Sequence, residues 1–444
     1  MVNKQINLSL GFGGSLMIKS QLQLALFFFL ILNSVFSNSV TWPEFMGPKR
    51  NGLSSEIDIF NKKNNTVLQA KWVKALGSGY SGISFYGEIA ITMHSDHKFD
   101  YVKALNTKIG EQIWQYQIGP TYKGHGNSQD GPLSTPIVDT KQVYCLSPFG
   151  VLFSLGHSTG QLKWEVDLAN QLQAIPPHWG FTTSPVLFEN SVIVLAGIED
   201  NGFVIALDKL TGKIKWKAEQ DKAEYRSPTI GKLNNNYALP TAGGELLYCL
   251  DPKTGQTKWK YPIEGGLTNT AMPVLVKENW ILLQTQQQGL ILLEVNQDPM
   301  QSDIKIVWKN KKIKNTERLP PIQDGHIYCY SGRFLTCLSL MDDQTKWKSR
   351  APGDGFLIGV DRHLIILTKR GEIHLAKADS SQYQEKSTIQ IFKDLAWTHP
   401  SFYRGQIYAR NYGQIAYIDI VDESKSTNVQ AKAKIQKSTM GRFS

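Results

Sequence analysis

Short runs in which β-branched and aromatic residues alternate with polar ones recur along the chain, and Thr-Gly pairs punctuate them. A run of this kind makes a strand, because successive side chains of extended backbone point to opposite faces. Four segments share one pattern of apolar, turn and aromatic positions: LNTKIGEQIW, LGHSTGQLKW, LDKLTGKIKW and LDPKTGQTKW. Each predicts a strand, a tight turn and a second strand. Gly110, Gly160, Gly212 and Gly255 supply the positive φ that such a turn needs. Asn106, Asp208 and Asp251 can bond backbone amides where the preceding strand ends.

Every one of these units closes on a tryptophan, namely Trp114, Trp164, Trp216 or Trp259, and the register continues at Trp72, Trp308 and Trp347, with Phe392 as the weakest copy. Successive gaps are 42, 50, 52, 43, 49, 39 and 45 residues, the length of a four-stranded propeller blade. A second alignment marks innermost strands that begin near a proline: Pro136, Pro185, Pro228, Pro273, Pro321 and Pro400. Proline is tolerated there, since the first residue of a strand has no obligatory donor.

These starts predict an all-β chain, an eight-bladed β-propeller of four-stranded antiparallel blades with tryptophan-docking repeats. Its blades span residues 77–116, 132–168, 181–219, 223–263, 266–310, 315–353, 354–394 and 396–424. The last has no tryptophan strand of its own, and the segment VLQAKWVKAL, residues 67–76, is left over. That strand is expected to close the ring by completing blade eight, which removes an open edge. Each blade tryptophan is expected on an outermost strand, its ring buried against the next blade and its indole N–H on a carbonyl. In five of the blades the position ten before it is small: Ala104, Ser154, Ala206, Cys249 or Cys337. Cys249 and Cys337 read as small apolar fillers, and Cys145 and Cys329 pack similarly on second strands. The spacing of the four cysteines fits neither a CxxC pair nor a zinc framework.

Outside the repeat, the run Leu22 to Leu32 is too short to span a bilayer. Val35 and Ser37 follow at the spacing of a signal-peptidase site, so residues 1–37 are expected to be a signal peptide and the chain to be periplasmic or secreted. Residues 38–66 form an N-terminal extension, 67–424 the propeller, and 425–444 a disordered basic tail. The formal charge is +10. Lys4, Lys19, Lys425, Lys432, Lys434, Lys437 and Arg442 carry most of it, leaving about +3 without a basic stripe on the folded body. Nucleic acid is not an expected partner, and neither is a membrane span.

The LD-x-x-TG-x-x-x-W units resemble those of the pyrroloquinoline-quinone-like repeat family, which includes quinoprotein alcohol dehydrogenases and the propeller lipoprotein of the outer-membrane β-barrel assembly machinery. The segment WPEFMGPKRNG, Trp42 to Gly52, resembles the opening of exported PQQ-like repeat proteins. For the enzymes, that resemblance implies adjacent cysteines over a quinone cofactor, a calcium ion held by acidic and amide side chains, and an aspartate base. This chain has no Cys-Cys pair and no CxxCH segment. Nor does it carry the cysteine near its mature start that the lipoprotein would lipidate.

In a propeller the loops entering the innermost strands converge on one mouth, so polar and aromatic residues before the aligned prolines are the natural site candidates. They are His125 and Asp130, His178 and Trp179, Tyr225 and Arg226, Asn269, Glu317 and Arg318, and Trp397 and His399. Trp179 and Trp397 stand outside the blade register and read as partner anchors. The plainer reading is that loop tips are polar everywhere. His94-Ser95-Asp96-His97 has metal-ligating atoms but no assignable fourth ligand, and residues 119–132 are Gly-rich without opening a helix. No catalytic motif is present. The expectation is a monomeric, non-catalytic scaffold or binding protein of the cell envelope, without a cofactor, its partner an envelope protein or a small-molecule or carbohydrate ligand. The alternative is a PQQ-dependent dehydrogenase of alcohols or sugars.

Overall fold

The computed structural model describes residues 42–60, 65–126, 128–198, 201–222, 225–267, 272–297, 302–313 and 320–423. The predicted signal peptide and basic tail lie outside these residues. Eight antiparallel sheets of four strands each make up the propeller. Blade one is Ser84–Tyr86, Ile89–Ser95, Phe99–Asn106 and Gln112–Pro120, and blades two to seven repeat that order along the chain. Blade eight takes Ser401–Tyr403, Gln406–Arg410 and Gln414–Asp422 from the C-terminal end and Thr66–Ala75 from the N-terminal end. Thr66 pairs with Asp422 and Ala75 with Gln414, so the leftover tryptophan strand closes the ring as its sequence predicts.

Burial follows radius. Second strands lie between two neighbouring blades and are apolar on both faces, as in His363–Thr368, where every residue after His363 is buried. Outermost strands cover only one face and alternate, as in Ile214–Gln220. The hydrophobic clusters accordingly join adjacent blades.

The tryptophan seam is built from three coupled features. Ala104, Ser154, Ala206, Cys249 and Cys337 lie opposite Trp114, Trp164, Trp216, Trp259 and Trp347, and an irregularity in register follows at once in each blade. Such a bulge increases local twist. The indole then crosses to the next blade. Trp72 donates to the carbonyl of Thr107 at 3.2 Å, Trp114 to His157 at 2.9 Å, Trp164 to Lys209 at 2.9 Å, Trp308 to Leu340 at 2.8 Å and Trp347 to Asp379 at 2.8 Å. In Trp216 and Trp259 the indole N–H has no such partner, although both rings are buried.

Blade seven corrects the sequence alignment. Phe392 is buried but lies beyond the outermost strand Gln384–Gln390. Its register equivalent is Ser387, which stands opposite Leu375 just before the bulge. The reason is the ring closure. Blade eight joins its third and fourth strands from opposite ends of the chain, so it offers blade seven no Thr-Gly turn on which an indole could sit.

The N-terminal extension takes the axis of the ring, a role its sequence did not disclose. Trp42 bridges Phe85 of blade one, and the carbonyl of Pro43 accepts from Val138 of blade two. Arg50 donates to the carbonyls of Ser184 and Pro185 in blade three at 3.0 and 2.8 Å. Met46 packs with Met272, Val274 and Ile322 of blades five and six. Leu53 bridges Gly359 of blade seven, and Glu56 accepts from the amides of Arg404 and Gly405 in blade eight, each at 2.7 Å. Only the axis lets one short segment reach innermost strands all around a ring. The plug holds its own shape by amide-to-carbonyl bonds from Gly47 to Glu44, Arg50 to Gly47 and Gly52 to Met46. Gly47 has φ +83°, and a Cβ there would stand 2.9 Å from the Trp42 ring.

Candidate functional site

The plug takes up axial space, and among the described residues the candidates before the aligned prolines lie on one face. The loops between blades, and the turns joining second to third strands, share one face. Four of the predicted mouth residues come together there with two that were not singled out. His125 meets His178 with ring centroids 4.8 Å apart, His178 meets Trp179 at 5.1 Å, and Trp179 meets Tyr225 at 5.3 Å. Tyr122 extends the row from His125 at 5.9 Å to Phe149 at 5.6 Å. The outcome is a strip of six aromatic and imidazole rings across the loops of blades one to four.

Local sequence sets each part of it. In Pro176-Pro177-His178-Trp179-Gly180 the amide of Gly180 returns to the carbonyl of Pro177 at 2.7 Å, with φ +69° at the glycine. That turn leaves His178 and Trp179 at its tip. The loop reaches it through a short helix, Leu168–Leu172, capped by Asp167, whose carboxylate accepts from the amide of Asn170. Phe149 occupies the tight turn between Pro148 and Gly150. A Cβ on Gly150 would meet Phe181 at 2.6 Å, so that turn is pressed onto the neighbouring loop. An aromatic at so short a turn is the one sequence signal that could have named Phe149.

Two polar contacts brace the strip. Tyr122 is buried, its hydroxyl donates to the carbonyl of His178 at 3.2 Å, and burial pushes its pKa up to about 12, so it stays a donor. The hydroxyl of Tyr225 accepts from the amide of Trp179 at 3.3 Å. Exposure then divides by depth: Trp179 is 40% exposed and Phe149 45%, while Tyr122 forms the floor. Large exposed aromatics on a braced base are the usual anchors of a partner surface.

The other predicted residues go elsewhere. Asp130 pairs with Lys123 at 2.8 Å and accepts from the amide of Gly124; that lysine bond holds its carboxyl below the usual range, and together they brace the loop under His125. Arg226 is buried and donates to the carbonyls of Ala242, Gly243 and Leu267. It ties loop to blade rather than facing solvent. Arg410 does the same between blades eight and one, on the carbonyls of Met93, Gly77 and Ser81. Trp397 and His399 lie apart from the strip, against Phe356, with His399 also touching Phe45 of the plug. Asn269, Glu317 and Arg318 lie outside the described residues. His94 is buried against Tyr101, whereas His97 is exposed, so the two imidazoles diverge.

A family whose description is outer membrane protein assembly factor BamB matches residues 98–349. The chain belongs to that family. An outer membrane protein assembly factor BamB from Yersinia pestis is 22% identical over 376 residues, covering 80% of this chain and 82% of that protein. Among solved structures, BamB from Moraxella catarrhalis superposes with a TM-score of 0.59 at 15% identity, covering 79% of this chain and 97% of that one. Quinohemoprotein alcohol dehydrogenase from Comamonas testosteroni gives a TM-score of 0.63 at 13% identity, covering 87% and 82%. Both halves of the resemblance read from the repeat units are therefore present, as likenesses of fold.

The adjacent cysteine pair that the resemblance implies for the dehydrogenases is not part of this BamB-family chain. Its four cysteines are free and buried on separate strands. Among the described residues no group of three or more His, Cys, Asp or Glu could hold a metal ion. The axis carries Trp42, Met46 and the Glu44–Arg50 pair. No helix among the described residues is long and apolar enough to cross a membrane.

Proposed function

We propose that this chain is an exported scaffold of the cell envelope that serves outer-membrane protein assembly by binding a protein partner through the aromatic strip. The observation that carries the reading is the row from Phe149 through Tyr122, His125, His178 and Trp179 to Tyr225, braced from below and exposed above. Membership of the BamB family supplies the process, and the strip supplies the surface. Side chains of this kind bury large apolar area at little cost in rotamer freedom, which suits them to bind another protein. Rings stacked in a row and braced from one side are suited to recognition of another surface.

The test replaces Phe149 and Trp179 together by Ser in the producing cell. Folded outer-membrane β-barrel protein should fall as far as in cells lacking the chain, while the variant accumulates with an unchanged unfolding midpoint. Normal assembly in cells carrying the folded double variant would sink the reading. In parallel, dye-linked oxidation of an alcohol after addition of PQQ and calcium would return the chain to the dehydrogenases.

A further inference from the structure

A cleft of about 790 Å³ opens between blades six and seven on the same face as the strip, on the opposite side of the axis. That volume is within the range of ligand clefts, roughly 300–1,000 Å³. Arg333 stands at the turn between the second and third strands of blade six, Arg350 at the end of its outermost strand, and Lys369 and Arg370 at the corresponding turn of blade seven. Asp354 is the one carboxylate among the described residues of the lining, and Lys369 pairs with it at 2.7 Å. Among the described residues no carboxylate pairs with Arg333, Arg350 or Arg370. Three guanidinium groups therefore face one cleft with their charge unmet.

Two of the four cations are held in place. Arg350 lies over the ring of Phe334 at 5.6 Å, and Lys369 lies over Trp397 at 3.9 Å while it grips Asp354. Cation–π contact and the ion pair restrict long side chains that would otherwise lose rotamer freedom on binding. Trp397, which the strip does not use, thus has a place here. Guanidinium is planar, always charged and weakly hydrated, and it meets tetrahedral oxyanions with paired N–H donors. A single carboxylate would leave two of the three groups unmatched. A doubly charged phosphate, or two of them, would satisfy the set.

We propose that this cleft binds phosphate groups of a small or lipid-borne phosphorylated ligand, a site separate from the partner surface. The test titrates the full chain with fructose 1,6-bisphosphate, with fructose, with succinate, and with phosphatidylcholine vesicles with and without phosphatidylglycerol. Saturable one-to-one binding of the bisphosphate, or binding to vesicles only when they contain phosphatidylglycerol, supports the site and names its source. Either should weaken by about tenfold or more in R333Q/R350Q/R370Q and with rising salt. Because all three arginines are exposed, an unchanged unfolding midpoint is expected of that variant. Absence of binding in both arms, equal binding by the triple variant, or succinate binding as tightly as the bisphosphate would overturn the proposal.

Discussion

Gly160 of blade two lies under the indole of Trp114 in blade one, so that a Cβ at Gly160 would stand 2.6 Å from Cε3 of that ring. The glycine also has φ +67°. One residue thus answers two demands, a left-handed turn and a face flat enough for an aromatic ring. Gly160→Ala should cost about 2 kcal/mol or more from strain and overpacking together. Gly87 provides the control, with φ +62° and nothing within 4 Å of its missing Cβ; Gly87→Ala should cost only about 1–2 kcal/mol. Urea midpoints compare the two, and equal losses would separate the glycine from the tryptophan seam. Trp216→Ala and Trp259→Ala should each cost about 3–5 kcal/mol, as buried aromatic truncations do.

Ring closure and the plug share one stretch of chain and can be separated. Removal of residues 38–76 takes away the outermost strand of blade eight and uncovers the strand Gln414–Asp422, leaving an aggregating or protease-labile product. Shortening the chain only to Asn65 keeps that strand and removes the plug. A folded ring with lower stability is expected from it, read as a cooperative unfolding transition at lower temperature. A soluble, cooperative product from the longer deletion would contradict closure by Thr66–Ala75.

The Glu44–Arg50 pair is buried at 2.9 Å inside the plug. Burial raises the carboxyl of Glu44 to about 7 against the pull of Arg50, and it lowers the pKa of Arg50. Removing one partner leaves the other unmatched in the interior, so Arg50→Met should cost about 3–5 kcal/mol. Glu44→Gln with Arg50→Met removes both charges and should recover part of that loss. A double variant no better than Arg50→Met in a thermal unfolding comparison would assign Arg50 entirely to its carbonyl bonds in blade three.

Two buried groups near the top of blade one respond to acid in opposite directions. Burial lowers His94 to about 4 from its ordinary 6.5, so its contribution is complete above pH 6.5 and is lost as pH falls toward 4. Burial raises Asp100 to about 6, so its contribution is present below about pH 4 and is lost as pH rises toward 6. Each is worth up to about 3 kcal/mol over its window. His94→Asn should therefore gain stability relative to the parent chain at pH 4.5 but not at pH 7.5. Asp100→Asn should do the reverse, and chemical unfolding at the two pH values reads both.

The strands, the Thr-Gly turns, the eight-fold repeat and the closing strand are all set by neighbours in sequence. Alternation fixes which residues extend, and glycine at a positive-φ turn fixes where the chain reverses. A tryptophan recurring every blade fixes the unit, so Trp72 without a blade of its own already pointed to Gln414–Asp422. Ser387 in place of Phe392 was hidden because the hairpin from Leu375 is longer than in the tryptophan blades and no aromatic stands at its register position. The remainder depends on radius and angle around the ring, which no local pattern encodes. Trp42 to Phe60 lack a partner in sequence and find theirs on innermost strands of distant blades. His125, His178 and Tyr225 sit in three separate loops, and only the ring brings their side chains into one row, just as only the seam between blades six and seven sets Arg333, Arg350 and Arg370 around one cleft.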